Sequence, residues 1–155
     1  MINIVEATEE HLPSILEIGK EAISPNWTYN ILLNELNNGD STFIVAVPCK
    51  SDKTDEPSPC LIGFVVLRQV GDDGEILQIA VDKSSRRCGV GDLLMTAAID
   101  YAAEEGFMSV FLEVRESSTA AVSLYKKHGF EPIRTRKDYY NDPIEDAIIM
   151  KRDIK

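Results

Sequence analysis

The strongest constraint on this chain lies at residues 75–101, where one hydrophobic period gives way to another. Glu75-Ile76-Leu77-Gln78-Ile79-Ala80-Val81 is rich in Ile, Leu and Val and reads as a strand. After a basic turn, Val90, Leu93, Leu94, Ala97, Ala98 and Tyr101 recur at i, i+3, i+4, i+7, i+8 and i+11, one face of a helix. Gly106 stands where a C′ residue closes such a helix. The junction reads Lys83-Ser84-Ser85-Arg86-Arg87-Cys88-Gly89-Val90-Gly91-Asp92. The first turn of a helix has N–H groups without internal partners and carries the positive end of the macrodipole. Glycine lets a diphosphate approach those groups without striking a Cβ, and Arg86 and Arg87 add charge beside it. A plain glycine-rich helix start fits a bare G-x-G equally well. Two familiar phosphate loops do not fit. The dinucleotide fingerprint needs glycine where Leu94 stands, and the P-loop needs Gly-Lys followed by Ser or Thr, a step the chain lacks.

The flanking sequence supplies alternating strands and helices. Ile2 to Glu6 reads as a strand, residues 9 to 23 as an amphipathic helix with Thr8 as N-cap, and Thr28 to Asn37 as a second helix. Thr42–Val47, Leu61–Val70, Glu75–Val81 and Ser109–Val114 are predicted strands, with Gly71-Asp72-Asp73-Gly74 as a turn. Ala121, Leu124, Tyr125 and His128 mark one face of a helix stopped by Gly129, and strands follow near Glu131–Lys137 and Asp146–Asp153. Pro48 to Cys60 reads as a long exposed hairpin loop. The order is βααβββαβαββ, an α/β sheet covered by helices on both faces, and 155 residues suit a single domain over 1–155.

Charge narrows the partners. The net charge of −10 makes whole-surface attraction to nucleic acid or anionic lipid unfavourable. Residues 1–80 hold 4 Lys/Arg against 13 Asp/Glu, and residues 81–155 hold 12 against 13. One half repels anions; the half with the glycine loop need not. No run of 18 apolar residues exists and the start resembles no signal peptide, so no membrane span and a cytoplasmic location are expected. Cys49, Cys60 and Cys88 have no zinc spacing, His11 and His128 join no ligand cluster, and no metal is expected. In a reducing compartment the cysteines stay thiols.

The segment R-x-x-G-x-G, as Arg86-Arg87-Cys88-Gly89-Val90-Gly91 after Ile79-Ala80-Val81, resembles the GCN5-related N-acetyltransferase (GNAT) family over essentially the whole chain. Leu112-Glu113-Val114-Arg115-Glu116-Ser117, Ala120 to Tyr125, Gly129-Phe130, Arg136 to Tyr140 and Glu145 to Met150 look most like its ribosomal-protein-alanine N-acetyltransferases. Pro25-Asn26-Trp27-Thr28 approximates a Pro-Trp-Ser segment of the same subgroup, with one residue inserted. The resemblance implies a mixed, largely antiparallel sheet with two splayed parallel central strands, Glu75–Val81 and Ser109–Val114. It implies acetyl-CoA as co-substrate and a protein N-terminus, that of a ribosomal protein, as acceptor.

Carried over by position, Glu113 is the expected base and Tyr125 the expected acid. Ile79, Ala80 and Val81 hold the acetyl and pantetheine groups, and Arg86, Arg87, Cys88, Gly89, Val90, Gly91 and Asp92 surround the pyrophosphate. Ser118 stands where relatives carry asparagine and reaches less far toward the cofactor arm. Asp92 favours the helix dipole but not a nearby phosphate, so its side chain is expected to point away. Trp27, Tyr139 and Tyr140 are candidates for the acceptor groove, and a core position suits Trp27 as well.

The chemistry agrees with these assignments. An amine attacks a thioester only when neutral; roughly a tenth of an α-amine is neutral at pH 7, and far less of a lysine. A carboxylate with a modest upward shift can serve such an amine, and Glu113 lies in an otherwise apolar strand where burial would produce one, although a salt-bridged or edge-facing glutamate fits that position as well. Two other readings stay open at this level: a GNAT enzyme for a small amine such as a polyamine or amino acid, and a non-catalytic acyl-CoA-binding module. The acidic half contains the two helices that in the resembled family wall the acceptor groove, so a cationic peptide is the expected acceptor.

Overall fold

Strands and helices follow one another in the expected order in the computed structural model, which describes residues 2–22, 27–48 and 61–154. They are β1 (Ile2–Glu6), α1 (Leu12–Ala22), α2 (Tyr29–Leu36), β2 (Ser41–Pro48), β3 (Gly63–Val70), β4 (Asp73–Val81), α3 (Val90–Glu104), β5 (Ser109–Arg115), α4 (Thr119–Lys127), β6 (Glu131–Tyr140) and β7 (Glu145–Asp153). The seven strands form one sheet in the order β1-β2-β3-β4-β5-β7-β6. Every neighbouring pair is antiparallel except β4 and β5, which run parallel. This is the mixed, largely antiparallel sheet with a central parallel pair that the sequence led us to expect.

Strand alternation sorts the core into two layers. Ile44, Ala46, Val65, Leu67, Val110, Leu112 and Val114 pack with Leu94, Met95, Ala98 and Ala102 of α3 and Tyr125 of α4. The opposite side chains, Phe43, Val45, Phe64 and Val66, pack with Leu12 and Ile15 of α1 and Leu32 of α2. Burying each such side chain contributes about 1.5–3 kcal/mol, so both faces must stay covered. Helices α3 and α4 end alike. Gly106 and Gly129 adopt φ of 78° and 85°, and the N–H groups of Phe107 and Phe130 reach back to the carbonyls of Ala102 and Tyr125 at 2.9 and 3.0 Å. Both phenylalanines are buried, fixing each helix end to the sheet.

Several boundaries differ from the sequence reading. A 3₁₀ turn at Glu9–His11 precedes α1. Thr8 does sit at its N-cap, where its backbone N–H donates to His11 Nδ1 at 2.9 Å. The predicted four-residue turn shrinks to Gly71-Asp72, because Gly71 takes a φ of 61° and pairing resumes at Asp73. Strand β6 runs on to Tyr140, three residues beyond the predicted end, so Tyr139 and Tyr140 are strand residues. Its side chains are exposed almost throughout, so no apolar alternation announced that extension. Cys49, Cys60, Pro25, Asn26 and all but the first residue of the expected Pro48–Cys60 loop lie outside the described residues. No described helix is long and apolar enough to cross a membrane.

Candidate active site

A cleft opens where the parallel pair separates. Strands β4 and β5 pair at Gly74↔Val110, Glu75↔Phe111 and Ile76↔Leu112, and no further. The next residue, Leu77, is a bulge: Leu67 faces Ile76 and Val66 faces Gln78, leaving Leu77 unmatched on β3. A bulge bends its strand and adds local twist. It also shifts the phase, so Ile76 joins the α3 layer while Ala80 joins the α1/α2 layer. Beyond it, Ile79–Val81 form one wall and Glu113–Arg115 the other of a cavity of about 500 Å³. Ser117, Ser118, Thr119, Ala120 and Ala121 line the same cavity from the start of α4, as do Tyr125 and Tyr140. With no strand beside it there, the β4 edge presents its peptide groups to whatever enters.

The glycine loop lies at the far end of this cleft. A second cavity, of about 510 Å³, is lined by Ser85, Arg86, Arg87, Gly89, Val90, Gly91 and Asp92. It shares Val81, Arg86, Ala120 and Ala121 with the first, so the two are one channel. Gly89, the N-cap of α3, has a φ of 81°, and Arg87 a φ of 64°. Both residues occupy the left-handed region, which folds the loop sharply back onto the helix start. The first helical bond runs from the Leu93 N–H to the Gly89 carbonyl at 3.1 Å, leaving the N–H groups of Val90–Asp92 for a ligand. A Cβ on Gly91 would stand 3.2 Å from Leu124 Cδ2, so glycine also lets α3 and α4 approach here. These features suit a long, narrow ligand with an anionic middle, as acetyl-CoA is.

Asp92 does turn away from the loop. Its carboxylate lies 3.0 Å from Lys127 Nζ and 2.9 Å from His128 Nε2, and these two partners hold its pKa below the ordinary aspartate value. Cys88 is an exposed free thiol whose Sγ points to the Arg86 carbonyl at 3.6 Å. Ser118 is the N-cap of α4 but makes no side-chain capping bond, leaving its hydroxyl on the cleft wall.

Glu113 and Tyr125 share the cleft with quite different surroundings. Tyr125 is buried, with its ring edge-on to Phe130, and burial, reinforced by nearby Tyr140, pushes its phenol up to about 12. Glu113 is not stripped of polar company as the apolar strand suggested. Its Oε1 accepts a hydrogen bond from Arg136 Nη1 at 2.9 Å, across the sheet from β6. The neighbouring Glu113 carboxylate raises the Tyr139 pKa. Tyr140 is pushed up to about 12 by burial first and then by the Glu113 charge. Glu75 rises as well, through burial and then repulsion from Glu113.

Sequence reasoning missed Arg136, Glu75 and Arg115. The Arg115 guanidinium stacks on Tyr140 at 4.3 Å and pairs with Glu145, which also accepts the Ser117 N–H at 2.5 Å. That network fixes the start of α4 against β7. Trp27 lies apart from this group. It lines a separate cavity of about 290 Å³ with Ile15, Leu16, Gly19, Lys20, Leu32 and Gln78, between α1, α2 and β4.

The comparisons with known proteins agree with this geometry. The sequence model of the acetyltransferase (GNAT) family matches residues 7–130. The [ribosomal protein bS18]-alanine N-acetyltransferase of Haemophilus influenzae is 38% identical over 153 residues, covering 97% of this chain and 96% of the relative. An N-alpha-acetyltransferase of Sulfurisphaera tokodaii is 33% identical over 145 residues, covering 88% and 83%. The crystal structure of the ribosomal-protein-S18-alanine N-acetyltransferase from Escherichia coli superposes with a TM-score of 0.84 at 28% identity, covering 100% of this chain and 95% of that one. The chain belongs to the acetyltransferase (GNAT) family and is an acetyl-CoA-dependent N-acetyltransferase.

Proposed function

We infer that the enzyme acetylates the N-terminal α-amine of a protein, with a ribosomal protein beginning with alanine as the model acceptor. The relatives named above support the acceptor class. One structural observation carries the chemistry: Glu113 and Tyr125 line a single cleft that continues into the glycine loop. The loop and the free β4 edge hold the pyrophosphate and pantetheine, placing the acyl end beside Glu113. When bound, acetyl-CoA supplies an acetyl thioester, whose C–S bond breaks as the amine nitrogen forms the C–N bond.

Glu113 takes the proton that the incoming ammonium must lose, directly or through one water. An α-amine titrates near 7.7–8.0, so a carboxylate can serve it far more readily than a lysine near 10.4. Tyr125 stays protonated at neutral pH and donates a hydrogen bond to the sulfur as negative charge develops there. No acyl-enzyme is required, because both substrates are held together.

The acceptor in this reading is a cationic peptide. Helices α1 and α2 lie in the half of the chain with 4 Lys/Arg and 13 Asp/Glu. Attraction to that half weakens as salt rises. The enzyme works in the cytoplasm, where nascent and ribosomal N-termini are available. Mass mapping after incubation with acetyl-CoA tests the reading on two substrates, a basic peptide with a free N-terminus and a polyamine. The peptide gains its acetyl group on the α-amine. Acetylation of the polyamine with no peptide product refutes the inference.

A further inference from the structure

The carboxylate assigned as base is already occupied. Arg136 Nη1 donates to Glu113 Oε1 at 2.9 Å, and the Tyr139 phenol lies near enough for the same carboxylate to raise its pKa. A guanidinium on that oxygen fills the place that an incoming ammonium needs. The charges around it are unevenly held. Arg68 is committed to Glu35 through two bonds, Nε to Oε1 at 2.8 Å and Nη2 to Oε2 at 2.5 Å. Arg115 is committed to Glu145 and to the carbonyls of Asn141 and Pro143. Among the described residues Arg136 is the one cation paired with Glu113, its side chain 46% exposed, with the Tyr139 ring 5.1 Å from its guanidinium carbon. Glu75 on β4 stands close enough to feel both Glu113 and Arg136. Glu75 also feels Arg68, ahead of Arg136, so Arg136 is the weakly tethered cation of Glu113.

We propose that Arg136 is a displaceable counter-ion, occupying the place beside Glu113 that the acceptor's ammonium takes on binding. This rests on Glu113 acting as the base. The acceptor arrives as a cation and exchanges with the guanidinium, which turns away from Glu113 into solvent. Glu113 then faces the ammonium and can take its proton. Acetylation turns the amine into a neutral amide that cannot hold Glu113, so Arg136 returns and the product leaves. Arg136 is a positioning residue: it never touches the reacting atoms, yet it makes a positively charged acceptor a condition of entry.

The test compares wild type with Arg136→Gln and Arg136→Lys, using a basic N-terminal peptide and saturating acetyl-CoA. An ion pair this exposed is worth at most a few-fold, so Arg136→Gln should lower the acceptor KM by about two- to fivefold. Methylguanidinium should then compete with the peptide in Arg136→Gln, by refilling the vacated place, and should not compete in wild type. Arg136→Lys keeps a charge without the fork and should fall between the two. A raised or unchanged acceptor KM in Arg136→Gln overturns the proposal, as does restoration of its activity by methylguanidinium. Glu113→Gln, run in parallel, separates the two failures. If it keeps full turnover, the base assignment is wrong; if it is inactive while Arg136→Gln behaves like wild type, only the exchange is wrong.

Discussion

Removing one oxygen atom, by Tyr125→Phe, tests how the leaving sulfur is stabilised. Tyr125 titrates at about 12, whereas a thiol of the cysteine type titrates near 8.5. Complete proton transfer from the phenol to the thiolate is therefore uphill by about 3.5 units, or about 5 kcal/mol. Burial thus moves Tyr125 away from the free acid that its ordinary pKa near 10 suggested. In the proposed role what remains is hydrogen-bond donation to a developing anion, worth about 1.5–3 kcal/mol. At 1.4 kcal/mol per tenfold, Tyr125→Phe should lower kcat by about 10- to 150-fold. The acetyl-CoA KM should change little, because the bond strengthens only as charge reaches the sulfur. The ring keeps its edge contact with Phe130, so the melting temperature should hold or rise slightly. Steady-state release of free thiol measures kcat, and thermal unfolding checks the fold. The wild-type kcat should show no alkaline loss from this group between about pH 6 and pH 10, since a phenol at about 12 stays protonated there. Turnover of Tyr125→Phe within twofold of wild type, with the fold intact, refutes this reasoning.

Three further outcomes are expected. Glu113→Gln should reduce kcat/KM for a peptide acceptor by about 10²–10⁴, with acetyl-CoA binding by calorimetry unchanged. Glu75 has a folded pKa raised by burial and by Glu113. Its contribution to stability is therefore intact below the unfolded glutamate value and is lost as pH rises through the folded one. Glu75→Gln should accordingly melt higher than wild type at pH 7, with the gap closing near pH 4; a gap that widens on acidification contradicts the shift. Gly74→Ala would place a Cβ 2.8 Å from the buried Phe107 ring and should cost about 1–3 kcal/mol in denaturant unfolding, whereas Gly39→Ala meets nothing within 4 Å and should be nearly neutral.

The sequence exposed those parts of the fold that depend on local periodicity. The helix at Val90–Glu104 and its glycine stops were legible because capping and i, i+4 spacing are local. So was the loop at Arg86–Gly91, since a strand, two arginines and two glycines announce a helix start open to an anion. The bulge at Leu77 was not legible. Ile76-Leu77-Gln78-Ile79 reads as an unbroken strand, and the phase shift appears only against β3. Nor was the Glu113–Arg136 pair. Those residues are 23 apart in sequence, and meet because β7 lies between their strands with irregular register along β6. The apolar neighbours of Glu113 suggested a desolvated carboxylate, yet strand alternation sends them to the α3 face and leaves Glu113 on the other. Long-range register decides which charges meet, and register is the feature that a single strand does not carry.

The central claim is acetyl transfer to a protein N-terminus. Its most direct measurement uses one peptide carrying both a free α-amine and an internal lysine, incubated with enzyme and acetyl-CoA, with the modified position located by fragmentation mass spectrometry. The account predicts a single acetyl group on the α-amine, formed by wild type and lost in Glu113→Gln. Acetylation of the lysine side chain with the α-amine left free would contradict it.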